Sequence, residues 1–281
     1  MSKPAVFFDR DNTLIISDGY LGDPAQVQLA PGASEAVARA QELGFAVVTV
    51  SNQSGVGRGL MTEEDVENVN KKMDAMLRLQ NPKAIINRHE FCPFHPEATI
   101  EKYRQESDLR KPKPGMLKSA AKSLGLDLEA SWLIGDSPRD IEAGFAAGCR
   151  TILLANPSIP PSPAASEPSS VDPDETVGTL TEAMDIIEAA EAAKSAVAHG
   201  APVGRTFDLT GRRKNPRHDT FKAVHFSTSK LLAGIVQIFA LAVAVLAIFE
   251  NSFVGTPTIL FAIFLQMFVI ALILMDIDER R

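Results

Sequence analysis

Two aspartates, Asp9 and Asp11, follow the apolar run Val6-Phe7-Phe8, and Thr13 comes two positions later. Residues i and i+2 at the end of a strand point the same way. Both carboxylates can then face one ligand outside the carboxyl edge of a sheet, where open α/β folds bind substrates. One carboxylate can serve as nucleophile and metal ligand and the other as proton donor, which suits phosphoryl transfer through an aspartyl-phosphate. An acidic turn closing a strand competes for the same residues, and the rest of the chain has to separate the two readings.

Four further groups stand at the ends of predicted strands. Val47-Val-Thr-Val-Ser51 delivers a hydroxyl, and Asn52, Gln53, Ser54 and Gly55 follow with backbone N–H groups of the kind that hold phosphate oxygens. Arg110-Lys111-Pro112-Lys113-Pro114-Gly115 precedes a helix. There Lys111 can neutralise a transferring phosphoryl group, Arg110 can grip a second anionic or hydroxyl-bearing part of the substrate, and the prolines stiffen the backbone. Trp132-Leu-Ile-Gly135-Asp136-Ser137-Pro138-Arg139-Asp140 reads as strand, acidic turn and helix. Asp136 can complete a Mg²⁺ site with Asp9, and Asp140, one helical turn on, can hold Lys111 or the water shell of the metal. Arg58, inside Gly55-Val-Gly57-Arg58-Gly59, can reach the far end of a substrate. Each group also has a plain structural reading: Ser-Asn turn chemistry, a basic turn, a Ser137 helix cap with Pro138 behind it, a glycine-rich surface loop.

The elements that must position these residues are legible as hydrophobic periodicity. Strands are predicted at Ala5–Phe8, Phe45–Val50, Ile85–Phe91, Trp132–Gly135 and Thr151–Leu154. Helices are predicted at Gly32–Leu43, from the capping-box-like Thr62-Glu-Glu-Asp65 to Leu79, at Met116–Leu124, Pro138–Ala147 and Leu180–Ala198. Residues 92–114 are loop-rich, and Asn156–Pro173 is a Pro/Ser/Ala-rich loop or linker. The βαβ rhythm predicts an α/β fold, a doubly wound parallel sheet, over residues 1–198 without a large cap domain.

The chain has 281 residues and a net charge of −7. That acidity argues against nucleic acid as a partner. Cys92 and Cys149 are far apart and imply no disulfide framework, so a reducing compartment is expected. Met1-Ser2-Lys3-Pro4 runs straight into the first strand and has no signal-peptide shape. Residues 199–229 carry Gly, Pro and basic residues without a clear period and read as a membrane-proximal linker. In residues 230–281, the stretches 231–249 and 258–275 contain no charge and one glutamine each, Gln237 and Gln266. At 1.5 Å per residue each spans roughly 27–29 Å, close to the hydrocarbon thickness of a bilayer. They predict a two-helix transmembrane hairpin contacting membrane lipids; two helices buried in a soluble core are the alternative. Arg212, Arg213, Lys214, Arg217, Lys222 and Lys230 precede the first stretch, Arg280 and Arg281 follow the second, and the connecting turn has no Lys or Arg. The positive-inside rule then places the catalytic domain and both termini in the cytoplasm.

Asp9-x-Asp11-x-Thr13, Ser51, Lys111 and Asp136 with Asp140 match, in order, the four motifs of the haloacid dehalogenase (HAD) phosphatase superfamily, which the sequence resembles over about residues 1–195. Within it the chain looks like the D-glycero-D-manno-heptose 1,7-bisphosphate 7-phosphatase and histidinol-phosphatase group. Asp18-Gly19-Tyr20, Ser51-Asn-Gln-Ser-Gly55, Arg58-Gly59, Cys92-Pro93 and Arg110-Lys-Pro-Lys-Pro-Gly-Met116 extend the likeness. The resemblance implies a small phosphorylated metabolite as substrate. It makes Asp9 the nucleophile and Asp11 the acid and base, and has Mg²⁺ held by Asp9, the Asp11 backbone carbonyl and Asp136. Ser51 and Lys111 would contact the phosphoryl oxygens, and Asp18, Gly19, Tyr20, Asn52, Gln53, Ser54, Arg58 and Arg110 would bind substrate. A heptose bisphosphate is the leading substrate. Histidinol phosphate is the alternative, and a non-catalytic phospholigand-binding protein held at the membrane is a third reading. Members of this group often carry a structural zinc on a Cys-x-His and a Cys-x-Cys pair. Here Cys92 matches the first ligand, but Phe94, Ser107 and Leu109 occupy the other positions, with His95 nearby. No zinc is expected, and packing of Phe91, Phe94 and Tyr103 is expected to order the loop instead.

Overall fold

A computed structural model describes residues 2–17, 19–159 and 169–198. The linker and hairpin expected at 199–281, residues 160–168 of the Pro/Ser/Ala-rich segment, and Asp18 lie outside these residues. The elements are β1 (Lys3–Phe8), β2 (Ile15–Ile16), β3 (Gln28–Leu29), α1 (Ala33–Glu42), β4 (Ala46–Asn52), α2 (Ser54–Gly57) and α3 (Glu63–Gln80). They continue with β5 (Arg88–Cys92), α4 (Gly115–Leu124), β6 (Leu126–Gly135), α5 (Pro138–Ala147), β7 (Arg150–Leu154), β8 (Glu175–Val177) and α6 (Leu180–Ala198).

Six strands form one parallel sheet in the order β5-β4-β1-β6-β7-β8. Chain order runs outward from β1 to β4 and β5 on one side and from β6 to β7 and β8 on the other. The β1–β6 seam is therefore a topological switch point, and the crevice beyond its carboxyl ends is the expected binding position. The near-continuous apolar strands are what a sheet covered on both faces requires. Val6, Phe8, Val47, Trp132 and Ile134 pack under α1, α3 and α6, while Ala5, Phe7, Val48, Val50 and Leu133 pack under α4 and α5. Each fully buried large apolar side chain contributes about 1.5–3 kcal/mol, so this alternation fixes strand register firmly.

Some sequence-based boundaries are corrected. β6 begins at Leu126 rather than Trp132, and its pairing with β1 slips between Pro4 and Val6. Its first half is polar and bulged: the Asp127 carboxylate accepts the N–H groups of Glu129 and Ala130, and Ser131 Oγ accepts Ala5 N at 2.8 Å. β5 starts at Arg88, three residues later than expected. The β2–β3 hairpin and the edge strand β8 have too few residues for periodicity to reveal. The glycine-rich segment after Ser51 is the short helix α2, with Gly55, Val56 and Gly57 buried. A side chain at Gly57 would lie 2.8 Å from the Pro93 carbonyl oxygen. Among the described residues the stretches from β1 to α1 and from β5 to α4 carry nothing larger than the β2–β3 hairpin and the single turns Pro24–Gln26 and Glu101–Tyr103.

Candidate active site

β1, β4 and β6 end together, and their registers bring Asp9, Ser51 and Asp136 to one edge. Phe8 pairs with Thr49 on one side and Ile134 on the other. The Asp9 N–H continues the ladder to the Ile134 carbonyl at 2.9 Å. The chain then turns sharply, with the Leu14 and Ile15 N–H groups both donating to the Arg10 carbonyl. Asn12 sits inside this turn at φ 57°, a left-handed conformation that asparagine tolerates well.

Lys111 organises the floor. Its ammonium donates to Asp140 Oδ1 at 2.5 Å and the Val50 carbonyl at 2.8 Å, and forms an ion pair with Asp9 Oδ1 at 2.8 Å. Asn52 brackets the Lys111 backbone, accepting its N–H and donating to its carbonyl, both at 3.0 Å. Asp140 is fully buried, and its other oxygen accepts Ser137 N at 3.1 Å and Ser137 Oγ at 2.6 Å, closing a capping box at the start of α5. Gly135 makes room for it: a Cβ there would meet Asp140 Cγ at 2.3 Å.

Asp11 stands beside this floor, more open to solvent. Its carboxylate accepts Gln53 Nε2 at 2.6 Å and Ser51 Oγ at 3.2 Å, and it pairs with the Arg10 guanidinium at 3.1 Å. Gln53 Nε2 also donates to Ser51 Oγ at 2.7 Å. Ser51 and Gln53 are thus a relay that holds Asp11, and Asn52 holds the Lys111 backbone. Sequence reasoning read Asn52 and Gln53 as substrate contacts; the geometry gives both these supporting bonds.

Burial pushes the Asp9 carboxyl well above its ordinary range; Lys111 offsets part of that, while Asp140, Asp136 and Asp11 add to it. Burial also opposes charge on Lys111, but the Asp140 and Asp9 carboxylates outweigh it and hold its pKa above the usual lysine value. Asp9, Asp136 and Asp140 offer oxygens within 4.8 Å of one another. Four carboxylates, those of Asp9, Asp11, Asp136 and Asp140, face the two cations Arg10 and Lys111, which leaves a surplus of two negative charges. An all-oxygen donor set with that surplus fits a hard divalent cation. Both Asp140 oxygens are engaged by Lys111 and Ser137, so Asp140 serves the cluster as a support.

A family model described as HAD-hydrolase-like matches residues 108–183. The D-glycero-β-D-manno-heptose-1,7-bisphosphate 7-phosphatase of Escherichia coli K12 is 37% identical over 164 residues, which are 58% of this chain and 85% of that protein. The enzyme of the same name from Vibrio cholerae is 38% identical over 57% of this chain and 85% of its own. The chain belongs to the HAD-like phosphatase family. It is a phosphoric monoester hydrolase. Among solved structures, a Mesorhizobium loti protein assigned as a HAD-like phosphatase superposes with a TM-score of 0.57 at 30% identity, over 67% of this chain and 87% of its own. The D,D-heptose 1,7-bisphosphate phosphatase of B. bronchiseptica, crystallised with magnesium and phosphate, shares the fold with a TM-score of 0.58 at 24% identity, over 66% and 99%.

Beside the acidic floor of this HAD-like phosphatase opens a cleft of about 400 Å³ lined by the cations Arg110, Lys111, Lys113 and Arg139, by His95, and by the carboxylates Glu97 and Glu106. Burial lowers the pKa of Arg110, and the guanidinium groups of Arg139 and Arg58 lower it further, so three arginines share one field. His95 is lowered by burial and by Arg110, Arg58 and Arg139. Tyr20 stays 51% exposed and covers Gly55, whose Cβ would meet the Tyr20 ring at 2.7 Å. Gly19 is exposed, and Ser54 opens α2. The loop between β5 and α4 is packed by aromatic residues: Phe91 and Phe94 lie against Val56, Met61, Val66, Ala98 and Tyr103, and the Tyr103 hydroxyl donates to Glu63. Cys92 is buried, with its thiol on the Phe94 carbonyl and its pKa raised by that burial. His95 Nδ1 accepts the Glu97 N–H at 3.0 Å.

Sequence reasoning missed Arg10, Asn70 and Arg139 as parts of the site. Arg10 lies between the two aspartates, where strand alternation points a side chain away from them. Asn70 is on a helix distant in sequence. Only Arg139 left a signal, as a cation in the acidic turn that opens α5.

Proposed function

We propose that the chain is a Mg²⁺-dependent D-glycero-D-manno-heptose 1,7-bisphosphate 7-phosphatase that works through an aspartyl-phosphate. The observation that carries the reading is the Asp9–Lys111–Asp140 cluster with Asp11 beside it. In the first step an Asp9 oxygen bonds to phosphorus as the bond from phosphorus to the sugar oxygen breaks, and Asp11 gives that oxygen its proton. In the second a water oxygen bonds to phosphorus, its proton passes to Asp11, and the bond to Asp9 breaks to release inorganic phosphate. The Lys111 charge offsets that of the phosphoryl oxygens throughout, and the Ser51 hydroxyl turns from Asp11 to donate to one of them. Asp9, Asp136 and the Asp11 backbone carbonyl would hold Mg²⁺, whose charge would offset that of the phosphoryl group.

The cationic cleft favours a substrate with a second anionic group. A bisphosphate places negative charge near Arg110, Arg139 and Arg58, whereas histidinol phosphate would bring an ammonium group to the same field. Relatives 37% identical over 85% of their length carry the heptose bisphosphate name. Purified full-length protein with Mg²⁺ should release phosphate from the heptose 1,7-bisphosphate faster than from histidinol phosphate or a hexose monophosphate. Preference for histidinol phosphate would reverse the substrate assignment, and no release from any of them would sink the mechanism.

We also propose that residues 199–229 link the phosphatase domain, residues 1–198, to a membrane hairpin with spans at 231–249 and 258–275, which holds the domain at the cytoplasmic face. Among the described residues no helix is long and apolar enough to cross a membrane. Support for the hairpin comes from the two uncharged stretches and their basic flanks. Extraction of the full-length protein by high salt without detergent would overturn it.

A further inference from the structure

Arg10 is 1% exposed, and its contacts are few and specific. Nη2 donates to Asp11 Oδ1 at 3.1 Å and to Oδ2 at 3.2 Å, and Nε lies 3.3 Å from Oδ1. Nη1 donates to Asn70 Oδ1 at 3.1 Å, and Asn70 is itself buried on α3. The Arg10 N–H donates to Asp9 Oδ1 at 2.7 Å, and its carbonyl accepts two N–H groups of the turn. A buried guanidinium is costly unless it is paired and hydrogen-bonded, and Arg10 is both. Its planar fork meets one carboxylate through both oxygens, which fixes the plane of that carboxylate as well as its distance. Gln53 and Ser51 hold Asp11 from the other side through Oδ2.

We propose that Arg10, anchored by Asn70, is a positioning residue that sets the Asp11 carboxylate for proton transfer to the leaving oxygen. This rests on the functional reading above, in which Asp11 is the acid and base. The Arg10 guanidinium is spent on Asp11 and Asn70, so it acts on the reaction through Asp11. It acts on the proton given up by Asp11 as the phosphorus–oxygen bond to the leaving group breaks and the Asp9–phosphorus bond forms. A misplaced acid should matter most where the leaving oxygen is strongly basic. It should matter little where the leaving group departs without a proton.

The test compares two esters in the full-length protein with Mg²⁺: a sugar phosphate, whose leaving group is an alkoxide, and p-nitrophenyl phosphate, whose leaving group is stable as an anion. Arg10→Met should lower kcat/KM, which reports the first transfer and not the later attack of water, about 100-fold on the sugar phosphate and less than about 3-fold on the aryl phosphate, since general acid catalysis contributes of the order of 10²–10⁴. KM for the sugar phosphate should change less than about 2-fold, because the lost interaction acts in the transition state. Asn70→Leu, which keeps Arg10 but removes its anchor, should show the same inequality at about a tenth of the size. Arg10→Lys, which keeps the charge and loses the fork, should recover little of it. Equal losses of kcat/KM on both esters, a change on the sugar phosphate confined to KM, or no loss would overturn the proposal. If Arg10→Met does not fold, the Asn70→Leu comparison decides on the same terms. A wild-type chain that hydrolyses neither ester would overturn the functional reading and this inference with it, whereas equal losses overturn this inference alone.

Discussion

Lys111 and Lys113 stand two residues apart in the same turn. The Lys111 side chain is 4% exposed and held by Asp9, Asp140 and the Val50 carbonyl. The Lys113 side chain is 45% exposed and faces the surface carboxylates Glu106 and Asp108 at 3.3 and 3.8 Å. The same side chain therefore does two different jobs. At the floor, low dielectric makes each charge decisive for its neighbours, so the geometry must be fixed before substrate arrives. At the rim, exposed pairs are worth about 0–1 kcal/mol each, and the cations can be exchanged or retuned without disturbing the fold. In the proposed function, chemistry belongs to the buried cluster and recognition to the exposed rim.

The comparison breaks most sharply at Asp9. Asp9→Asn should lower phosphate release by at least about four orders of magnitude, as removal of a nucleophile does elsewhere, while the melting temperature moves by a few degrees at most. The stability half follows because burial already disfavours the charged form of Asp9. Lys111→Met should lower kcat about 10³-fold and also destabilise the domain by about 3–5 kcal/mol, because it strands Asp9 and Asp140 without a buried counter-charge. Chemical denaturation with matched m-values would check the second effect. The raised pKa of Lys111 gives a sign as well. Its contribution is fully present below the ordinary lysine value and is lost as pH rises through the higher folded value, so wild type should keep it throughout the neutral range.

Mg²⁺ at 100 times its dissociation constant should stabilise the wild-type domain by about 2.7 kcal/mol, read as a rise in melting temperature that Asp136→Asn abolishes. An unchanged shift in that variant would remove Asp136 from the metal site. At the rim, Arg110→Ala should raise KM for a bisphosphate about tenfold, roughly 1.4 kcal/mol, with a smaller effect on a monophosphate. Lys113→Ala should change kcat/KM by less than about twofold and stability by less than about 0.5 kcal/mol. An Lys113 effect as large as that of Lys111 would erase the distinction between floor and rim.

The floor was largely legible in the chain because its residues sit at strand ends, where short motifs have fixed geometry. Asp9, Ser51, Lys111 and Asp136 follow β1, β4, the loop before α4, and β6. The α/β alternation was legible too, since both faces of the sheet demand long apolar runs. The support was harder to read. Asn52 and Gln53 read as substrate contacts, and only their distances to Lys111 and Asp11 show that they also hold other residues. β8 and the β2–β3 hairpin escaped because two or three residues carry no usable period.

By itself the sequence determined the kind of chemistry and the edge of the sheet on which it occurs. The spacing of the aspartates and the ends of the apolar strands are local properties, and local geometry is nearly fixed by the backbone. Only the tertiary structure decided which charge meets which. Arg10 reaches Asn70 across 60 positions, and Lys111 reaches Asp140 across 29. Partner choice in a buried cluster depends on distances of a few tenths of an ångström between elements packed from distant parts of the chain, and no linear pattern encodes those distances.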